Sequence, residues 1–216
     1  DVVSFGIDIW MTTSAINEGF NIVQTYLGTR IHGAKDPASD LGPMFRQVVS
    51  TLFYLMSKYE HNWHRENPFK AIEIKNNVNE ELKLEVVSVS MNDLREEFVE
   101  GFRNFRPLYD EILNSDNISR LDEIYESWSH NKDKEFDSDL WSKILYDFAY
   151  TYQQWERNKR RLVDILTPLY FGRTKSYCQQ VMNMSSNEAE QIVQDQAAAF
   201  EKNKPYLLKR FKIWED

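Results

Sequence analysis

The chain has 216 residues, 42% hydrophobic and 14% aromatic, enough for one large or two small packed cores and against disorder as the default state. Only 7 Gly and 6 Pro stand against 28% charged residues, a balance that favours helices over an all-β fold with its many turns. A formal charge of -8 opposes binding to nucleic-acid phosphates, the single Cys178 closes no disulfide within the chain, and no apolar run approaches the roughly 20 residues that span a bilayer. A cytoplasmic protein is expected, since one unpaired cysteine suits a reducing compartment.

Residues 7 to 18 are predicted to form a short helix, and 21 to 31 a strand rich in β-branched and aromatic residues. Polar punctuation from His32 to Asp40 separates them from a helix carrying Phe45, Val48, Val49, Leu52, Phe53 and Met56 at helical spacing, with Pro43 in its first turn. Beyond a His- and Asn-rich stretch, residues 82 to 89 suggest a short edge strand. From there the pattern is helical. Ser90 to Asp93 has the form of a capping box, and Leu94, Phe98, Phe102 and Phe105 mark one face behind it.

A helix near 119 to 130 precedes the charged loop 131 to 137. One long helix then takes Leu140, Ile144, Phe148, Tyr152, Trp155 and Leu162 as its core face, until Pro168 ends or kinks it. Ser185 to Glu188 opens a last helix that runs toward Pro205. The expected fold is mainly α: a short α/β remnant over residues 1–60 followed by a helical region over 61–216. A lone strand leaves its backbone groups unpaired, so its neighbours are expected from other sequence or another chain, and its open edge predicts a homodimer. The apolar run Asp1 to Trp10 is unlike a solvated terminus and predicts that the first domain begins upstream.

Three stretches carry the most specific signal: Gly6-Ile-Asp-Ile-Trp-Met-Thr-Thr13, Gln24-Thr-Tyr-Leu-Gly-Thr-Arg-Ile-His32 and Asp40-Leu-Gly-Pro-Met-Phe-Arg-Gln-Val48. Together they resemble the later catalytic segments of family-2-like glycosyltransferases, the group that includes the glucosyl-3-phosphoglycerate synthases and related glucosyl- and mannosyl-glycerate enzymes. The later stretches 140–149 and 166–173 look like the helical tail of that broader group. The resemblance implies a GT-A catalytic domain that transfers a hexose from a nucleotide diphosphate sugar to a small hydroxylated acceptor with Mg²⁺ or Mn²⁺. It further implies that the nucleotide-binding half and an Asp-x-Asp metal motif precede residue 1, so that this chain alone is inactive.

Read by itself, His32 is a loop histidine bonded to backbone; the resemblance makes it a ligand of the metal that neutralises the diphosphate leaving group. Asp8 suits a helix start, and the resemblance gives it the acceptor side of the site, holding a hydroxyl or acting as general base. Trp10 suits either a core or a sugar-binding pocket. Arg30 and Lys35 flank His32 and are solvated charges or partners for phosphate and carboxylate. Where the phosphoglycerate enzymes read Arg-Asn after the metal histidine, this chain has Gly33-Ala34, which speaks against a phosphoglycerate acceptor.

Three further features are read as structural. Asp137-Ser-Asp139 spells a metal motif but opens a helix, where its carboxylates receive amide protons. His61 and His64 have chelating spacing without a third ligand nearby. The basic run Arg157 to Arg161 lies among acidic neighbours as a solvated face. A different class of function, a non-enzymatic helical module that assembles with partners through aromatic faces, is the alternative to the transferase.

Overall fold

Every element formed by the described residues is a helix. The computed structural model describes residues 5–25, 41–64 and 89–212, and its contacts divide the chain into two units, 1–89 and 90–216.

In the first unit, α1 (Gly6–Asn17) packs on α2 (Leu41–Lys58), and the short α3 (Glu60–Trp63) follows on α2. α1 stops because Gly19 adopts φ 77°, a left-handed conformation that glycine takes without Cβ strain. The amides of Gly19 and Phe20 then turn back to the carbonyls of Ile16 and Ala15, satisfying acceptors that the helix end would orphan. In α2, Pro43 sits in the first turn, where its missing N–H costs nothing, and Phe45, Val49 and Phe53 form a buried stripe at four-residue spacing.

The expected α/β character is not found among the described residues. Of the strand predicted over 21–31, residues 21–25 run irregularly with a single bridge residue at Gln24, and the rest lies outside the described residues. Four of those five side chains are exposed, so β propensity there acts without a surface to pack on. The edge strand predicted over 82–89 also lies outside them, except for Val89, which is irregular.

The second unit holds α4 (Met91–Ile112), α5 (Ser115–Ser129), α6 (Ser138–Gln154), α7 (Lys159–Val181) and α8 (Ser186–Lys212), with α4 packed on α7 and α6 on α8. Polar caps set the starts. Ser90 Oγ accepts from Asp93 N, Asn114 from Asp116 N, Asp137 from Leu140 N and Asn158 from Arg160 N. At α8, Glu188 accepts both the amide and the hydroxyl of Ser185 at 2.7 Å, while its own amide donates back to Ser185 Oγ, a full capping box. The α4 stripe of Leu94, Phe98, Phe102 and Tyr109 is almost wholly buried, with Phe105 only half so. Phe98 meets Trp128 edge-on at 4.8 Å and Phe102 stacks on Tyr109 at 5.3 Å.

Three sequence expectations are corrected here. The helix through Leu140 and Leu162 is two helices, broken at residues 155–158, where Trp155 is extended (ψ 109°) and Asn158 offers a new cap. Trp155 is consequently half-buried and not in the core. Pro168 neither ends nor kinks the chain out of helix; it is buried inside α7, and its ring occupies the space above Gly101, where a Cβ would collide with it. Proline in a helix interior costs about 3 kcal/mol, which burial of its ring at the α4–α7 contact offsets. Pro205 likewise lies within α8, which continues to Lys212.

Candidate functional site

Two of the three motif stretches come together in the first unit. Residues 6–13 form the first two turns of α1 and 41–48 the first half of α2. The Phe5 amide donates to Gln47 Oε1 at 3.2 Å, across 42 positions of sequence. Gly6, the one buried residue of α1, sits so close to α2 that an added Cβ would lie 2.5 Å from Thr51 Oγ1. At the far end of α1, Asn62 donates to Asn17 Oδ1 at 2.8 Å and the Tyr59 hydroxyl to Glu18 Oε1 at 3.1 Å. Both ends of the helix are thus tied to the α2–α3 segment.

α1 presents Asp8 in its first turn, exposed, and Trp10 at 37% exposure. Two residues along an α-helix turn the side chain by about 200°, so Asp8 and Trp10 leave the helix on nearly opposite sides. Trp10 lies nearer the flank that carries Gly6 toward α2; Asp8 points away from it. One small molecule seated against a single face of α1 therefore meets one of the two. Apolar side chains surround the helix elsewhere, with Ile7, Met11 and Ile16 exposed at 40%, 57% and 54%. Arg30, His32 and Lys35 lie outside the described residues.

No group of three or more His, Cys, Asp or Glu among the described residues is arranged to hold a metal ion. His64 pairs with Glu60 at 3.3 Å and packs edge-on against Trp63, while His61 sits on the same short helix. Asp137 and Asp139 are committed to protein partners: Asp137 caps α6 and binds Arg120 at 2.6 Å, and Asp139 meets Arg120 at 2.8 Å and Lys143 at 2.9 Å. The basic run spans the α6–α7 break, with Arg157 over the Trp155 ring and Lys159 over Tyr152.

Displaced ionisation equilibria gather in the second unit, in networks that join helices. Asp147 is fully buried; burial raises its carboxyl, against hydrogen bonds from Tyr206 and the Asn114 amide, the charge of Arg210 and a bond from Asn117. Burial lowers the Arg173 guanidinium, which donates to Gln196, the Phe136 carbonyl and Ser138. Burial also lowers Lys175, although Asp133 opposes the shift, and its ammonium lies 4.2 Å from the Trp128 ring centroid. All these groups have protein partners that account for them. Each joins helices of one bundle.

Sequence reasoning missed Gln47 and Thr51, whose roles come from a helix that precedes them by some 40 residues. Gln47 stands inside a motif stretch, which is the one signal that marked it. Comparison with family models, with curated proteins and with solved structures returns no match. Among the described residues no helix is long and apolar enough to cross a membrane.

Proposed function

We propose that the chain is the carboxyl-terminal part of a nucleotide-sugar-dependent hexosyltransferase that acts on a small hydroxylated acceptor. The observation that carries this is the packing of the stretch 6–13 on α2, which contains most of the stretch 40–48, with Phe5 bonded to Gln47 and Gly6 seated against Thr51, so that Asp8 stands exposed at a helix start. In this scheme the Asp8 carboxylate accepts the proton of the acceptor hydroxyl as that oxygen attacks the anomeric carbon, provided it comes within hydrogen-bond reach. Arg30 and Lys35, on either side of His32 in the sequence, would pair with phosphate or carboxylate of the donor or acceptor. A divalent ion, Mg²⁺ or Mn²⁺, would neutralise the leaving diphosphate, and His32 would be its ligand from this chain. Trp10 contributes apolar surface on the opposite flank of α1.

The test is made on the intact parent enzyme: a screen of nucleotide diphosphate sugars with Mn²⁺, followed by His32→Ala. The variant is expected to keep its fold, lose most activity and need more metal for what remains. Unchanged activity and metal dependence in the variant return His32 to an ordinary loop position.

One observation favours the second reading, a non-enzymatic helical module that assembles with partners: the exposed apolar side chains Ile7, Met11, Phe20 and Val23. Sugar transfer by the parent distinguishes them: its absence across the donor screen supports the module, whereas a dimer of the purified chain suits both readings.

A further inference from the structure

We propose that Gly6 is a positioning residue of the transferase, seating the first turn of α1 on Thr51 so that Asp8 is held toward the acceptor. This rests on the reading of Asp8 as the acceptor-side carboxylate. Among the described residues Gly19 is the glycine with positive φ, so what Gly6 requires is space and not an unusual backbone. A Cβ on Gly6 would lie 2.5 Å from Thr51 Oγ1 and 3.5 Å from both Thr51 Cβ and the Gln47 carbonyl. Thr51 is poorly able to yield. Its hydroxyl donates to the Gln47 carbonyl at 2.9 Å, and a β-branched side chain on a helix has few alternative rotamers.

The Phe5 amide, bonded to Gln47 Oε1, adds a second tether one residue earlier. The N-cap Phe5 and the first residue of α1, Gly6, are therefore clamped to one turn of α2. Because each helical residue advances about 100°, Asp8 emerges some 200° from Gly6, on the side away from α2, in agreement with its exposure. Asp8 and Gly6 share a turn, so any group that lifts Gly6 from Thr51 carries the carboxylate with it. Displacement of a reacting group by about 1 Å costs on the order of 100-fold in rate.

The experiment compares wild type, Asp8→Asn, Gly6→Ala and the double variant Gly6→Ala/Thr51→Ala in the intact transferase. G6A is expected to lower kcat by about 10- to 100-fold while the donor KM stays unchanged, and the added Thr51→Ala, by removing the obstructing oxygen, restores most of the loss. A general loss of structure would move donor binding as well and would not be relieved by a second truncation. Where G6A melts far below wild type, Gln47→Ala, which removes only the Phe5 tether, gives the same comparison: kcat falls with donor KM unchanged if the clamp positions Asp8. Wild-type kcat in G6A or in Q47A, with D8N inactive, overturns this inference alone, as does a G6A loss that Thr51→Ala leaves in place. Wild-type activity in D8N overturns the acceptor-side reading and the inference together.

Discussion

Asp147 illustrates how a single side chain can hold several helices. Its Oδ2 accepts from the Asn114 amide at 3.0 Å and Asn117 Nδ2 at 2.8 Å, fastening the start of α5, while Oδ1 accepts from the Tyr206 hydroxyl at 2.6 Å and lies 3.0 Å from Arg210 Nε on α8. Removing one partner of a buried charged network strands the others without water. Asp147→Ala is therefore expected to cost about 3–5 kcal/mol in urea unfolding, and Asp147→Asn, which keeps one acceptor oxygen, clearly less. Equal losses in the two variants would mean that packing volume, not the acceptor set, is what matters there.

Asp139 has the opposite ionisation behaviour. Burial raises its carboxyl, but bonds from Lys143, Asn203 and Arg120 together outweigh that and hold it well below the usual carboxylate range. A depressed folded value means that its stabilisation is present above the unfolded value near 4 and disappears as pH falls through the folded one. Asp147, raised in the fold, carries the reverse sign: its contribution weakens as pH rises from about 4 through its folded value. Melting temperatures measured from pH 2 to 6 should then show a shallower acid loss in Asp139→Asn and a steeper one in Asp147→Asn, each relative to its own neutral-pH value. Parallel acid limbs for the two variants would contradict the assignment.

At the scale of elements, the α4–α7 contact depends on close approach where a side chain is missing. Gly101 leaves room for the Pro168 ring, and Gly172 for Phe98, whose ring carbon would lie 2.6 Å from an added Cβ. Gly101→Ala is expected to destabilise by about 1–3 kcal/mol through overpacking, despite alanine's better helix propensity, and Pro168→Ala in the same chain should recover much of it. Additive losses in that double-mutant cycle would place the cost elsewhere.

The same contact explains what was legible in the sequence. Helical spacing announced the α4 stripe, because Phe98 and Phe102 repeat at the period of the helix, and Ser185 to Glu188 announced the cap of α8 through a local rule. Pro168 misled because its local rule, helix termination, was overridden by a partner 67 positions away, read from residue numbers 101 and 168. The break at 155–158 was hidden for the converse reason: core spacing continues across it, and an Asn cap in a charged run gives a weak signal. The seat of Gly6 on Thr51 is likewise a long-range relation that no local pattern encodes. Asp8 and Trp10 stand two positions apart in one motif stretch, yet helical geometry sends them to nearly opposite sides of α1.

At the scale of the molecule, the second unit has the contents of a self-sufficient fold. Its most deeply buried side chains draw on all its helices but α8: Phe98, Phe102, Tyr109, Ile124, Trp128, Phe136, Phe148 and Leu166 are all at 1% exposure or less, and α4 packs on α7 and α6 on α8 within residues 90–212. Directional bonds tie the same helices, with the Tyr109 hydroxyl donating to the Ile165 carbonyl at 2.8 Å and Trp128 Nε1 to the Lys134 carbonyl at 2.9 Å. Burial of large aromatic side chains contributes roughly 1.5–3 kcal/mol each, and the polar anchors fix one arrangement among the many that apolar contact alone would allow. Residues 90–212 produced alone are therefore expected to unfold in one cooperative transition. Trp128 and Trp141, at 1% and 5% exposure, should then give a near-ultraviolet circular dichroism signal that disappears in the same transition as the helical signal. Helical content without that aromatic signal, accompanied by binding of a hydrophobic dye, would mean that the core needs residues outside this span to become fixed.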